Sequence, residues 1–155
     1  MAFSNRILAV AVLSLAATIS NAQSATGAAA EELSRLAVVG FNTSIKQEFP
    51  SKASCLMFPN SEFAQEAQSA LSTNLNKAQL AKVDSFYSSV LGRRWTDDTI
   101  GIRATGKEQN FSKEERSRIL DIVNAPWYIK AQQDFNSRVK KVGSAKWGAK
   151  LEKCG

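Results

Sequence analysis

The chain has no histidine and only two cysteines among its 155 residues, and these shortages exclude more chemistry than any motif supplies. Without imidazole, a Ser-His-Asp or Cys-His nucleophile pair cannot be assembled, nor can the usual histidine-bearing zinc sites. The two cysteines, Cys55 and Cys154, lack CxxC spacing, so a redox or metal-binding pair is not indicated. No cofactor and no metal are expected, and any catalysis would rest on carboxylates, lysine, tyrosine or serine. Long apolar runs are scarce too: there is one, at the amino terminus.

That run sets the expected compartment. Arg6 provides a positive start, Ile7 to Ile19 is an apolar stretch of thirteen residues, and Ser20-Asn21-Ala22 places small residues where a signal peptidase reads. The pattern is that of a cleavable signal peptide over residues 1–22, because a spanning helix needs about twenty apolar residues. Residues 23–30 read as a short flexible spacer, and residues 31–155 as a single helical domain. The mature chain, about 133 residues, is long enough for its own core and has no second membrane-length stretch. Export, to the periplasm or beyond, puts Cys55 and Cys154 where disulfides form. One bridge between them would close a loop of about a hundred residues, worth roughly 4–5 kcal/mol by chain entropy.

Charge is unevenly spread. From Gln23 to Tyr128 the basic and acidic residues balance at twelve each. The whole excess follows Tyr128: Lys130, Arg138, Lys140, Lys141, Lys146, Lys150 and Lys153 against Asp134 and Glu152. A one-signed patch steers acidic partners, although the same distribution suits a solvated helical face. Lys140, Lys141, Lys146, Trp147 and Lys150 are the candidate binding residues. An acidic protein or an anionic envelope component is the expected partner; outside the cytosol nucleic acid is not.

Helical spacing runs through the chain. Glu31–Glu48 reads as a first helix through Leu33, Leu36 or Ala37, Gly40 or Phe41, and Ile45, and Pro50 stops it. Asn60 or Ser61 is placed to cap the next, with Phe63, Ala67, Ala70 and Leu71 inward. Asn76 with Gln79 forms a relative of the capping box, and Leu75 with Leu80 a hydrophobic staple. Leu80, Val83, Phe86 or Tyr87, and Val90 continue that face. The pattern returns 36 residues later: Leu75–Trp95 aligns with Phe111–Ala131, Ser112 with Glu115 making a second capping box. In each copy a helix meets a capped break and a second helix, started by Ser88-Ser89 in one and by Asn124-Ala125 before Pro126 in the other. The helix after Pro126 is expected to bury Tyr128, Ala131, Phe135, Val139 and Val142 and to end at Gly143. Ser144 would then cap a last short helix carrying Trp147, Leu151 and Cys154 on one face. The expected fold is all-α: a compact bundle of about five to seven helices with a duplicated helix-break-helix unit and one disulfide.

The segment Phe86-Tyr87-Ser88-Ser89-Val90-Leu91-Gly92-Arg93-Arg94 resembles the signature of a family of exported bacterial helical proteins of unknown function, whose motif is close to F-Y-x-S-P-x-G-x-K. Val90 stands where proline is usual and Arg94 replaces the lysine. The resemblance covers about a third of the mature chain and implies a bacterial, periplasmic, all-helical protein; it implies no activity. The motif residues themselves suit structure, with serine as a cap, glycine for close packing and aromatics for the core.

Two functional readings follow. In the first, the protein is a non-catalytic periplasmic binding protein, an immunity or inhibitor protein among the options, whose basic carboxy-terminal region meets the acidic partner. In the second, Asp97 and Asp98 near Trp95 work as acid and base on a cell-wall glycan. Neighbouring helical residues point about 100° apart, so the two aspartates suit surface ion pairs with nearby arginines better. Glu114 and Glu115 suit a helix start. Trp127, Tyr128 and Trp147 could stack on a sugar, but core packing is the expected use of at least two. Gly101–Gly106 reads as a linker.

Overall fold

The computed structural model describes residues 27–106 and 110–155, so the signal segment and residues 23–26 of the spacer lie outside the described residues. Among these residues the structure is all-helical: α1 (Ala28–Glu48), a 3-10 turn (Pro50–Lys52), α2 (Ala53–Leu56), α3 (Ala64–Asn74), α4 (Lys77–Ser88), α5 (Val90–Thr105), α6 (Lys113–Val123) and α7 (Pro126–Cys154). The core lies where α3 packs on α1 and on α7, with α4 and α5 closing over α1. A disulfide joins Cys55 to Cys154, as the compartment argument requires.

The first helix starts earlier than its sequence pattern. Ala28–Ala30, assigned to the spacer, are helical, and Ala29 and Ala30 are wholly buried. No local side chain caps this end. Instead the Ala29 amide donates to Asp84 Oδ1 of α4 (3.0 Å) and the Gly27 amide to Gln68 Oε1 of α3 (3.0 Å). A carboxylate at a helix amino terminus meets both its unsatisfied amides and its positive dipole end. Gly27 leaves room for it, since a Cβ there would stand 2.5 Å from Asp84 Oδ1.

The connection from Phe49 to Phe63 is ordered by polar groups of α1. Ser34, wholly buried, donates to the Asn60 carbonyl (2.7 Å) and accepts from the Phe63 amide (2.9 Å). Asn42 makes a two-way bridge with Phe58, accepting from its amide (2.8 Å) and donating to its carbonyl (2.9 Å). These bonds satisfy backbone groups that no helix ladder reaches. The expected cap by Asn60 or Ser61 is not made: α3 begins at Ala64 without a side-chain cap, and Ser61 contributes only its carbonyl, which accepts from Ala64. The buried stripe Phe63, Ala67, Ala70 and Leu71 is as expected, each wholly buried.

Both capping boxes form. Asn76 Oδ1 accepts from the Gln79 amide (2.9 Å) while Gln79 Oε1 accepts from Asn76 (3.0 Å), and Ser112 and Glu115 repeat the exchange at 3.1 and 2.9 Å. The breaks that follow differ. Ser89 Oγ accepts from the Gly92 amide (3.0 Å) and donates to the Phe86 carbonyl (2.6 Å), so one hydroxyl closes α4 and opens α5. Ala125 has no such group; there the ring of Pro126 sets the first turn and removes an orphan amide. Val90, expected on the apolar face, is 68% exposed because the break turns it outward.

Two further expectations are corrected. Gly101–Gly106 is not a linker: α5 continues to Thr105, and Gly106 ends it in the left-handed conformation at φ 70°. Nor does Gly143 end a helix. Helix α7 runs unbroken from Pro126 to Cys154, and Gly143 is a buried packing position whose Cβ would lie 3.1 Å from the Phe41 ring. Ser144 donates back to the Lys140 carbonyl (3.0 Å) instead of capping a new helix. Val142 is half-buried, while Tyr128, Ala131, Phe135 and Val139 are buried.

Gly92 is the least replaceable position in the break. A Cβ there would fall 2.1 Å from the Phe86 carbonyl oxygen and 2.9 Å from Tyr87 Cα, both backbone atoms that cannot step aside. Gly92→Ala should lower stability by about 2–4 kcal/mol through forced backbone displacement. Gly101→Ala, with nothing within 4 Å of its Cβ, should raise stability by up to about 1 kcal/mol as a helix-interior substitution. Urea midpoints of the two variants check both signs.

Candidate functional site

The five candidate binding residues all lie on the carboxy-terminal half of α7, but on two different faces. Lys140 and Lys141 are exposed. Lys146, Trp147 and Lys150 face the connection between α1 and α3. Lys146 Nζ pairs with Glu62 Oε1 (2.7 Å), donates to the Glu62 carbonyl (3.1 Å) and lies 5.6 Å from the Phe63 ring centre. Lys150 Nζ donates to the Met57 carbonyl (3.0 Å), 5.2 Å from the Phe58 ring centre. Trp147 leans on Phe49 with ring centres 5.6 Å apart. The Cys55–Cys154 bridge, with Cα atoms 6.0 Å apart, closes the same contact. Three of the five therefore serve inside the molecule, where an ammonium over an aromatic face and on a carbonyl ties two elements together.

What remains outward is more uniform than the sequence implied. From Ile129 to Ala145 the exposed side chains of α7 are Ile129, Lys130, Gln133, Asn136, Ser137, Lys140, Lys141, Ser144 and Ala145. That strip carries three cations and no anion. Asp134, the one acidic residue in this stretch, is turned aside: it accepts from Arg138 Nε (3.0 Å) and from Asn74 Nδ2 (2.9 Å). The Arg138 bond, and after it the Asn74 bond, hold its carboxyl below the usual range against the opposing effect of burial. Lys130 and Lys140 are ten residues apart, so the cations span about 15 Å along the helix axis.

The two aspartates of the hydrolase reading do not converge. Asp97 is exposed and pairs with Arg35 Nη2 of α1 at 2.5 Å. Asp98 is buried and itself partnered, on the wall of a cleft of about 240 Å³ with Trp95, Ile102, Phe111 and Leu120. Arg94, one of the arginines near these aspartates in sequence, bonds Glu115 Oε1 (2.6 Å) and stacks 5.1 Å from the Phe111 ring centre. Glu115 is held below the usual carboxylate range first by the Ser112 amide of its capping box and then by Arg94. Among the described residues no group of three or more acidic or cysteine side chains is placed to hold a metal ion, and no helix is long and apolar enough to cross a membrane.

At the centre of the bundle lies a pair that sequence reasoning assigned only to the core. The hydroxyls of Tyr87 and Tyr128 bond each other at 2.5 Å, with the residues 1% and 0% exposed. Trp95 flanks Tyr87 and Trp127 flanks Tyr128, ring centres 6.1 and 6.2 Å apart. Periodicity marks both tyrosines as inward, yet nothing in either stretch announces that they meet. Their neighbours Phe86, Ser89 and Gly92 make the motif segment a structural break with an aromatic floor.

Comparison with protein-family models, curated proteins and solved structures finds no match to this chain.

Burial opposes ionisation of both tyrosines and pushes the pKa of Tyr87 and that of Tyr128 above the usual phenol range, so each stays neutral in the folded state. The unfolded chain ionises them near pH 10. Stability from this pair is therefore complete below about pH 10 and falls as pH rises further, because the unfolded state then binds fewer protons. These are the chain's only two tyrosines. Tyrosinate absorbance near 295 nm should thus stay flat through pH 10–11 and then appear together with loss of helical dichroism. A gradual rise before any loss of helix would contradict the buried pair.

Proposed function

We propose that the protein is a non-catalytic binding protein, exported to the periplasm or beyond, that uses the outward face of α7 to engage an acidic protein or an anionic envelope polymer. The observation that supports this reading is the strip from Ile129 to Ala145, with Lys130, Lys140 and Lys141 exposed and no carboxylate among them. A field of one sign over such a surface raises the local concentration of anionic partners and orients their approach. Gln133, Asn136, Ser137 and Ser144 fill the space between with groups that donate and accept hydrogen bonds. An immunity or inhibitor role against an envelope-acting enzyme belongs to the same class.

The binding set is narrower than charge alone indicates. Lys146 and Lys150 are engaged with Glu62 and Met57, so they contribute field but not first contacts. The single bridge fits a chain that matures in an oxidising compartment. The hydrolase reading has no support from the placement of Asp97 and Asp98, which face different surroundings.

Replacing Lys130, Lys140 and Lys141 together by Gln should weaken binding to poly-glutamate and to anionic vesicles by about tenfold at low salt, the wild-type affinity itself falling as salt rises. The pair Lys146→Gln and Lys150→Gln should instead lower stability by about 1 kcal/mol with a smaller effect on binding. Titration calorimetry at two salt concentrations, beside thermal melts, separates these effects. Unchanged affinity in the triple variant rejects the outward face as the binding surface.

A further inference from the structure

The clasp between α2 and the end of α7 has features that a purely inert bridge does not need. Cys55 is exposed and Cys154 half-buried, and both line an open cleft of about 270 Å³ with Phe58, Lys146, Lys150 and Lys153. Beyond Gly143 no residue of α7 is buried. Its attachment there rests on the disulfide, on the lysine ties to Glu62 and Met57, and on Trp147, which tilts against Phe49 and packs with Cys154 on the rim of the core. Every buried apolar residue of α7 precedes this stretch. The end of the helix thus adds no fully buried side chain to the core, and Trp147 and Cys154 pack on its rim.

We propose that the Cys55–Cys154 bridge is a thiol-disulfide exchange site, at which a dithiol partner frees the end of α7, residues 144–154, while the bundle stays folded. The partner's thiolate attacks Cys55 Sγ, on the more exposed of the two residues. The Cys55–Cys154 bond breaks, its electron pair leaves on Cys154, and a mixed disulfide forms between Cys55 and the partner. The partner's second thiol, as thiolate, then attacks its own sulfur in that mixed disulfide and expels Cys55. The partner ends as a disulfide, and its two protons end on Cys55 and Cys154. Exchange is faster when the departing thiol is more acidic, and nearby ammonium groups make it so. Lys150, one turn before Cys154, and Lys153, its neighbour, supply that charge; Glu62 on the same rim is neutralised by Lys146.

Opening of this kind is sub-global: few buried contacts are lost and the core keeps its own. Once released, the segment loses the geometry that holds Lys146 on Glu62 and Lys150 on Met57. Both ammonium groups and the Trp147 ring then face water.

The test uses the oxidised protein in native buffer with dithiothreitol, alkylating free thiols at intervals and repeating the series in sub-denaturing urea. Thiols should appear about tenfold or more faster than global unfolding permits and with little dependence on urea. Hydrogen exchange should then rise in residues 144–154 while residues 131–139 stay protected. The double variant Cys55→Ser, Cys154→Ser should show the same pattern without reductant. With glutathione, peptide mapping should place the mixed disulfide on Cys55. Lys150→Gln with Lys153→Gln should slow exchange several-fold. Thiol appearance that tracks global unfolding across the urea series overturns the proposal, as does protection of 144–154 that survives reduction. An unchanged rate in the lysine variant overturns the assignment of Cys154 as the departing thiol.

Discussion

Residues 49–63 are the part of this molecule that cannot satisfy its own backbone, and the rest of the fold is arranged around that need. Only one turn of 3-10 helix and one of α-helix interrupt the stretch. Its amides and carbonyls are met from two sides. From α1, Ser34 and Asn42 make four bonds to Asn60, Phe63 and Phe58. From α7, Lys146 and Lys150 reach the carbonyls of Glu62 and Met57. Between these supports the rings of Phe41, Phe58 and Phe63 gather with centres 5.5 to 5.8 Å apart. A buried backbone group without a partner costs about 1–3 kcal/mol, so the reach of α1 to Phe58 and Phe63 is as necessary here as the apolar contacts. The α7 lysines meet carbonyls of the half-buried Met57 and Glu62, and α7 extends past Gly143 for them to arrive.

The duplicated unit shows how one sequence pattern can be closed by different chemistry. Both copies start with a reciprocal capping box, and both bury a residue pair one turn on, Val83 with Phe86 and Ile119 with Ile122. At the break the first copy uses the Ser89 hydroxyl and the absence of a Gly92 side chain, whereas the second uses the fixed ring of Pro126. At the position aligned with Gly92 the second copy carries Tyr128, and Tyr128 reaches back to Tyr87 in the first. The two copies are therefore not independent. The chain's only two tyrosines bond each other where neither can be hydrated, and Arg94 of the first copy pairs with Glu115 of the second.

The sequence reading succeeded where the cause is local and failed where it lies across the molecule. Capping boxes, the Ser89 cap, the buried stripe of α3 and the disulfide follow from residues close in sequence or from a pairing with one solution. Val90, Gly143 and the start of α1 did not follow. Glycine reads as a stop, but Gly143 is chosen for the approach of Phe41. The alanines at 28–30 read as a spacer, yet Asp84 of α4 caps them. For Asp97 the sequence suggests arginines nearby, and a partner that periodicity does not reveal is Arg35, 62 positions away. Helical periodicity says which way a side chain points and is silent on what stands there.

The same limit bears on the candidate surface, and it alters what the charge excess means. Read as a sum, the residues after Tyr128 form one basic region. In three dimensions Arg138 is spent on Asp134, Lys146 on Glu62 and Lys150 on Met57, while Lys130, Lys140 and Lys141 stand outward on one strip. An ammonium held over an aromatic ring by a carbonyl has little left to offer a partner, because moving it would strip the carbonyl of its bond. The outward lysines, exposed on α7, carry no such cost. Net charge thus points to α7 as a whole, and the hydrogen bonds that the 49–63 connection draws from it decide which of its cations stay outward.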